Sequence, residues 1–333
     1  MTGPILVTGA GGFIGRATVS QLRGAGLSVR AGFHRLPANG ATDDGTVRCD
    51  LDEARSLDPA CAGASAIVHA AGRNAVAMPD QLRALLAAAD RAGVGRIVFL
   101  SSIAVYGPAQ GRIAEPDVPP DTAAPDDPYC AAKRACEAML RNWVAARPGR
   151  RVAILRPGIV YGRGSALWVD RPLAAIRAGV LGDLGPRGQG LAALVHVDDV
   201  AVAIRCALAA LTGSGPGLLA ANIVGPDTPS WNAYFAALAR QSNLPAPPPL
   251  TTGRLALLRI LSRPAKALAR LRLPAPRSLR LVPAPGELRL FARDAQYDTA
   301  RARTDLGFRA TVRLTDGLAE ALAPWPATCT GRA

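Results

Sequence analysis

The stretch Ile5-Leu6-Val7-Thr8-Gly9-Ala10-Gly11-Gly12-Phe13-Ile14-Gly15 decides how the rest of this 333-residue chain is read. An apolar run enters a loop in which Gly9, Gly12 and Gly15 recur at every third position, and Arg16 to Arg23 follows with helical character. Glycines at this spacing let the backbone turn tightly, approach a pyrophosphate closely and pack helix against strand, with the phosphates at the helix N-terminus. A glycine motif alone is a weak signal. Strand, glycine loop and helix in this order predict a dinucleotide-binding α/β fold, with Gly9, Gly12, Phe13, Ile14 and Gly15 at the cofactor.

Moving outward, a second strand spans Ser28 to Phe33. Dinucleotide folds often end this strand on an acidic residue that binds the ribose 2′-hydroxyl. Here Phe33-His34-Arg35 stands in that place. With no carboxylate to repel a phosphate, and with Arg35 able to pair with one beside His34, NADP is favoured over NAD. Val47 to Cys49 is a third strand ending at Asp50-Leu51, where Asp50 either meets the adenine amino group or caps the helix beginning near Asp52. Ala66 to Gly72 is a fourth strand whose small residues Ala70, Ala71 and Gly72 pass close to the cofactor, and His69 is a packed strand-end residue. After a helix over Pro79 to Ala92, the fifth strand Arg96 to Leu100 ends on Ser101-Ser102. Ligands of open α/β sheets bind outside the carboxyl ends of the strands, which puts these serines in the crevice.

Pro128-Tyr129-Cys130-Ala131-Ala132-Lys133 opens another helix, with Asp127 as N-cap and Pro128 in the first helical position. Spacing of i, i+4 sets Tyr129 and Lys133 on one face. A phenol that exchanges protons near neutrality needs its pKa moved from about 10 toward about 7, roughly 4 kcal/mol. One ammonium at about 4 Å supplies about that much at an effective dielectric near 20. A sixth strand, Val152 to Arg156, runs into Pro157-Gly158-Ile159-Val160-Tyr161-Gly162. Beyond it the alternation breaks down: Trp168 to Ala178 has helical character, Gly179 to Gly190 is glycine-rich, and Leu194 to Val200 opens a helix through Leu211. A late strand at Ala221 to Val224, a helix at Ser230 to Arg240 and a proline-rich connection at Pro245 to Pro249 follow. The expected fold is α/β, a Rossmann-type doubly wound parallel sheet with a smaller mixed α/β C-terminal substrate-binding region. The dinucleotide-binding domain is placed at 1–165, with returning segments around 191–225, and 166–333 is mainly substrate-binding.

Hydrophobic residues make up 49% of the chain, enough for a substantial core. The start of the chain has no basic region and no long apolar core, so the expected location is cytoplasmic. Six scattered cysteines, Cys49, Cys61, Cys130, Cys136, Cys206 and Cys329, form no Cys-x-x-Cys pair, and neither a metal site nor a disulfide framework is expected. The net charge is +14, and 37 of the 39 basic residues are arginine, since only Lys133 and Lys266 are lysine. The excess is concentrated: residues 228–286 hold nine basic side chains and no Asp or Glu. Arg254, Arg259, Arg263, Lys266 and Arg270 are placed on one helix face interrupted by Pro264. A basic face attracts phosphorylated substrates, acidic carriers or anionic lipid. The expected partner is a small-molecule substrate and no nucleic acid; a membrane-surface contact and a homodimer stay open.

With these segments in view the chain resembles the extended short-chain dehydrogenase/reductase family, in the broad group of NAD(P)-dependent epimerases and dehydratases. The resemblance is carried by Thr8 to Gly15, Asp50-Leu51, His69-Ala70-Ala71, Ser101 to Gly107, Tyr129 to Lys133, Leu155 to Gly162 and His196 to Val200. Tyr297 to Ala302 and Leu306-Gly307-Phe308 extend it. It implies that Ser102 hydrogen-bonds the reacting oxygen, that Tyr129 donates or removes its proton, and that Lys133 binds nicotinamide ribose hydroxyls while lowering the tyrosine pKa. Pro157, Gly158 and Val160 join the cofactor-binding set by the same resemblance. Two departures narrow the chemistry. Where dehydratases of the family carry an Asp-Glu pair, Ile103 and Ala104 stand here, which disfavours elimination of water. The chain between His69 and Ser101 is also shorter than in many relatives.

The leading expectation is an NAD(P)-dependent oxidoreductase or epimerase that transfers hydride at a secondary alcohol or ketone of a sugar nucleotide or similar polar metabolite. Tyr161, Arg163, Trp168, Arg171 and Arg187 lie in loops expected to cover the site, where arginines would hold a diphosphate. One alternative keeps the chemistry and takes an apolar ketone or hydroxysteroid-like alcohol at a membrane surface. Another, a non-catalytic NADP-binding regulator, has no need of Ser102, Tyr129 and Lys133 together.

Overall fold

Seven parallel strands form the main sheet in the computed structural model, which describes residues 3–36, 45–72, 74–115, 127–213, 215 and 217–324. The glycine loop joins β1 (Ile5–Thr8) to α1 (Phe13–Gly24). Next come β2 (Val29–Phe33), β3 (Thr46–Arg48), α2 (Ala54–Cys61), β4 (Ala66–His69), α3 (Met78–Arg91) and β5 (Arg96–Leu100). A short β6 (Gly111–Ile113) precedes α4 (Pro128–Ala145) and β7 (Arg151–Pro157). The last sheet strand, β10 (Leu218–Ile223), arrives after β8 (Ile159–Tyr161), α5 (Arg171–Arg177), β9 (Leu194–His196) and α6 (Val197–Ala210). Sheet order is β10-β7-β5-β4-β1-β2-β3, so the strand order reverses between β1 and β4. Ile5 pairs with Val29 on one side and with Ala66 on the other. The apolar runs of β1 and β4 are buried along their whole length, as strands covered on both faces must be.

The chain divides into two units. The first comprises Met1–Gly158, Val197–Val224 and Tyr297–Thr311, and its core joins Leu6, Ile67, Leu85, Phe99, Leu140 and Trp143. It closes at Gly158 and not at 165, because β8 leaves the main sheet to pair with β9, with Ile159 opposite Leu194. For the same reason Leu194–His196 is strand and the following helix starts only at Val197. The return through Tyr297–Thr311 lies outside the expected 191–225 segment.

The second unit packs around Trp231 and Phe235 of α7 (Trp231–Gln241), with Trp231 and Phe291 rings 4.6 Å apart. Ahead of α5, Ala166–Asp170 form a wide π-type turn in place of regular helix. Helix α8 (Thr252–Arg270) runs unbroken through Pro264, contrary to the expected interruption. Proline removes the hydrogen bond to the carbonyl four residues back, that of Ile260, and both residues face solvent, where water can take its place. The basic residues of α8 do not share one face either. Arg254 lies five positions before Arg259, roughly 140° around at 3.6 residues per turn. Lys266 turns inward to donate to the Val282 carbonyl at 2.7 Å.

Cys49, Cys61, Cys130 and Cys136 are buried thiols and Cys206 is half-buried. Cys329 lies outside the described residues.

Candidate active site

Local packing explains why the loop after β1 is written in glycine. Gly9 sits at φ +70°, and a Cβ there would come within 2.9 Å of the Ala71 amide nitrogen. A Cβ at Gly15 would collide with the Gly9 carbonyl. Gly12 differs: a Cβ there meets only the Gly9 oxygen, at 3.2 Å. Gly12 is the N-cap of α1, with no side-chain hydrogen bond to the first turn. Backbone N–H groups and the positive end of the helix dipole are therefore available beside a residue with no side chain, the arrangement a pyrophosphate requires. Phe13 and Ile14 form the first turn of that helix. These residues fit a dinucleotide.

At the end of β2 and β3, Asp50 Oδ1 lies 3.1 Å from His34 Nδ1 and accepts the Asp52 amide at 3.1 Å. Burial pushes the Asp50 carboxyl up, but the Asp52 amide, His34 and Arg48 together outweigh it and hold the group below the usual carboxylate range. Helix α2 is capped instead at Glu53, so Asp50 orders the turn before it. Leu51 packs on the core of the first unit. Arg35 is exposed just past the end of β2.

Asp127 caps α4 as its sequence requires, its Oδ1 accepting the Tyr129 amide at 2.9 Å. Ser102 follows β5 and has two roles. Its Oγ accepts the Ala104 amide at 3.1 Å, starting the tight turn Ile103–Tyr106, and its hydroxyl lies near enough to the Tyr129 phenol to favour the phenolate. Lys133, one turn along α4, is buried; its Nζ donates to the Leu100 carbonyl at 2.6 Å and stands 5.7 Å from the Tyr129 ring centroid. Burial lowers Lys133 to about 8, against smaller upward effects of Cys136 and Glu137. Burial raises the Tyr129 phenol; the Ser102 hydroxyl works against this, and the Asp127 charge adds to it. The lowering of Tyr129 by an ammonium at about 4 Å is therefore not built into this state, in which Lys133 faces the Leu100 carbonyl.

Small residues close the floor. A Cβ at Gly72 would lie 3.4 Å from Lys133 Nζ, and the Ala70 amide donates to the Thr8 carbonyl at 3.3 Å. His69 Nδ1 is 2.8 Å from Thr8 Oγ1, its ring stacks on Phe99, and burial lowers it to about 3, so it stays neutral. Pro157 ends β7, and the Gly158 amide donates to the Ile223 carbonyl at 3.0 Å. Gly9 to Gly15, Ser102, Tyr129 and Lys133 thus all belong to the first unit.

One group was not recognised in the sequence. Glu137, one turn beyond Lys133, accepts Ser101 Oγ at 2.6 Å and pairs with the fully buried Arg156 through Nε at 2.9 Å and Nη2 at 2.7 Å. Arg156 also donates to Tyr106 Oη at 2.7 Å, and Tyr106 donates to Asn222 Oδ1 at 2.8 Å. The network locks α4, which carries Tyr129 and Lys133, to the end of β5, which carries Ser102. A charged residue closing the apolar run Val152 to Leu155 was the available signal, since it demands a buried partner.

Val160, Tyr161, Arg163, Trp168, Arg171 and Arg187 belong to the second unit. Val160 pairs with Val195 in the β8–β9 ladder. Tyr161 is buried edge-on to His196, with ring centroids 5.3 Å apart. Arg163 is held by Glu320 at 2.8 Å and by the carbonyls of Ala323 and Pro324. Trp168 packs on Trp231, and its carbonyl accepts the Tyr234 hydroxyl. Arg171 pairs with Glu287, which raises the guanidinium further and holds the carboxyl below its usual range despite burial. Arg187 is exposed.

Residues 5–219 match the NAD dependent epimerase/dehydratase family. The ceramide reductase of Caulobacter vibrioides is 30% identical over 274 residues, which cover 76% of this chain and 77% of that protein. A UDP-glucose 4-epimerase of Azospirillum brasilense is 30% identical over 258 residues, covering 65% and 71%. Among solved structures, MoeE5 in complex with UDP-glucuronic acid and NAD superposes with a TM-score of 0.68 at 28% identity, covering 96% of this chain and 97% of that one.

Proposed function

This chain belongs to the NAD dependent epimerase/dehydratase family, and we propose that it is an NADP-preferring oxidoreductase that interconverts a ketone and a secondary alcohol. The observation that carries this reading is Tyr129, whose phenol feels the Ser102 hydroxyl and which stands one helical turn from the buried Lys133. When bound, the nicotinamide supplies or accepts the hydride. The protein's part is the proton. With its pKa raised by burial, Tyr129 keeps its proton at neutral pH and gives it to the carbonyl oxygen as that oxygen gains charge. Ser102 Oγ holds the same oxygen. Lys133, charged below about 8, steadies the phenolate that remains. Ile103 and Ala104 provide no second acid or base beside Ser102, so elimination of water is disfavoured.

Preference for NADP rests on Arg35, exposed past β2, and on His34, both in the place where an acidic residue would select NAD. The test is a pair of titrations. NADPH should bind more tightly than NADH, and Arg35→Ala should remove most of the difference, about 1–3 kcal/mol for a charge-assisted contact. NAD found tightly bound in the purified protein would favour an epimerase instead.

The first substrate reading is a sugar nucleotide or similar polar metabolite, by analogy with the UDP-glucose 4-epimerase. A second is an amphiphilic ketone. It is favoured by the ceramide reductase, matched over three quarters of both chains, and by the internal pairing of Arg163 and Arg171, which leaves neither poised for a diphosphate. Consumption of NADPH with a long-chain 3-ketone but not with a UDP-4-ketosugar would decide for the second, and the reverse for the first.

A further inference from the structure

Large hydrophobic side chains exposed to solvent are concentrated in one place. Among the described residues, Leu36, Val76 and Leu167 are isolated, whereas Leu257, Ile260, Leu261, Leu268, Leu271 and Leu273 follow one another along α8 and its C-terminal end. Positions 257, 260, 261, 264, 268 and 271 repeat at steps of three and four and fall on a single face. Leu257 is 57%, Ile260 59% and Leu271 70% exposed. The other face is satisfied inside the unit, with Leu255, Ser262 and Ala265 buried. Scattered apolar residues at a surface need no explanation, but a contiguous stripe marks a contact.

Charge identifies what the stripe meets. Arg263 and Arg270 flank it on one side and Arg254 on the other, and residues 228–286 contain no carboxylate side chain. A second copy of the chain docking stripe to stripe would bring like-charged edges together with nothing between them. A surface that is apolar in depth and anionic at its rim satisfies both features, because arginine stems lie along the apolar boundary while guanidinium groups reach phosphate. Helix α8 is about 28 Å long at 1.5 Å per residue. No helix among the described residues is long and apolar enough to cross a membrane, so α8 would lie on a bilayer and not span it.

We propose that α8 docks the protein on an anionic lipid bilayer, with Leu257, Ile260, Leu261, Leu268 and Leu271 entering the headgroup boundary and the flanking arginines pairing with lipid phosphates. This does not depend on the proposed reaction. The test is co-sedimentation of the full chain with vesicles of phosphatidylcholine alone or of equal parts phosphatidylcholine and phosphatidylglycerol. Binding to the anionic vesicles should exceed binding to the neutral ones by at least about tenfold and weaken with salt. Leu257→Asp/Ile260→Asp/Leu268→Asp and, separately, Arg263→Gln/Arg270→Gln should each lose about tenfold or more. Because the altered side chains of the apolar variant are exposed, both proteins are checked for an unchanged melting curve, and Leu257→Trp, whose emission should shift to the blue on anionic vesicles, gives a readout without added charge. Three outcomes overturn the proposal: no binding to either vesicle, equal binding by the apolar variant, which reduces the effect to nonspecific adhesion of a basic protein, or a dimer in solution that the apolar variant dissolves.

Discussion

Helices α4 and α8 are nearly equal in length, 18 and 19 residues, and each starts on a side-chain N-cap, Asp127 in one and Thr251 in the other. They dispose of charge in opposite ways. Helix α4 buries Lys133, Arg134 and Glu137, and gives Lys133 and Glu137 partners from its own unit: the Leu100 carbonyl for one, Arg156 and Ser101 for the other. Helix α8 presents Leu257, Ile260 and Leu271 to solvent beside arginines. A buried ion is tolerated only when its hydrogen bonds are met, so α4 is fixed in one place, as proton chemistry requires. An exposed apolar stripe has no internal partner and looks outward. The same ingredients, cations and leucines on a helix, are thus turned inward in one unit and outward in the other.

The contrast can be broken most forcefully at Arg156. Arg156→Met leaves the buried Glu137 with only the Ser101 hydroxyl and the half-exposed Arg141 at 3.4 Å, and it should cost about 3 kcal/mol in urea unfolding. A loss under about 1 kcal/mol would mean that α4 is not held by this pair. Next is pH. Lys133 has its pKa lowered to about 8, so the ammonium is present below that value and lost as pH rises through it. The kcat/KM for ketone reduction should therefore fall about tenfold per unit above roughly pH 8. A profile that stays flat to pH 10 would remove Lys133 from the mechanism. The smallest effect belongs to α8: Leu257→Asp/Ile260→Asp should change unfolding stability by no more than about 0.5 kcal/mol per site, as exposed surface positions do. A larger loss would show the stripe to be packed against the protein itself.

How far the sequence could be read follows the range of the contacts involved. The glycine loop, the cap Asp127 and the pair Tyr129–Lys133 are local patterns, written within a few residues, and they predict α1, α4 and the parallel sheet directly. Glu137 and Arg156 are 19 residues apart and Tyr106 and Asn222 are 116 apart, so their meeting depends on strand order, which no short window contains. The break at Pro264 was misread because a proline rule takes no account of which side of a helix water can reach. Lys133 shares a face with Tyr129 as the spacing predicts, but the Leu100 carbonyl that accepts its ammonium belongs to another element. The departure of β8 from the main sheet was hidden for a similar reason, since its partner β9 begins more than thirty residues later.

In the proposed mechanism Tyr129 moves the proton while the glycine loop holds the cofactor independently of it. Tyr129→Phe removes one hydroxyl, and its NADPH affinity and turnover are measured on the same preparation. Turnover should fall by about 10²–10⁴-fold, with the NADPH dissociation constant within roughly threefold of the parent. Turnover within tenfold of the parent would contradict that mechanism.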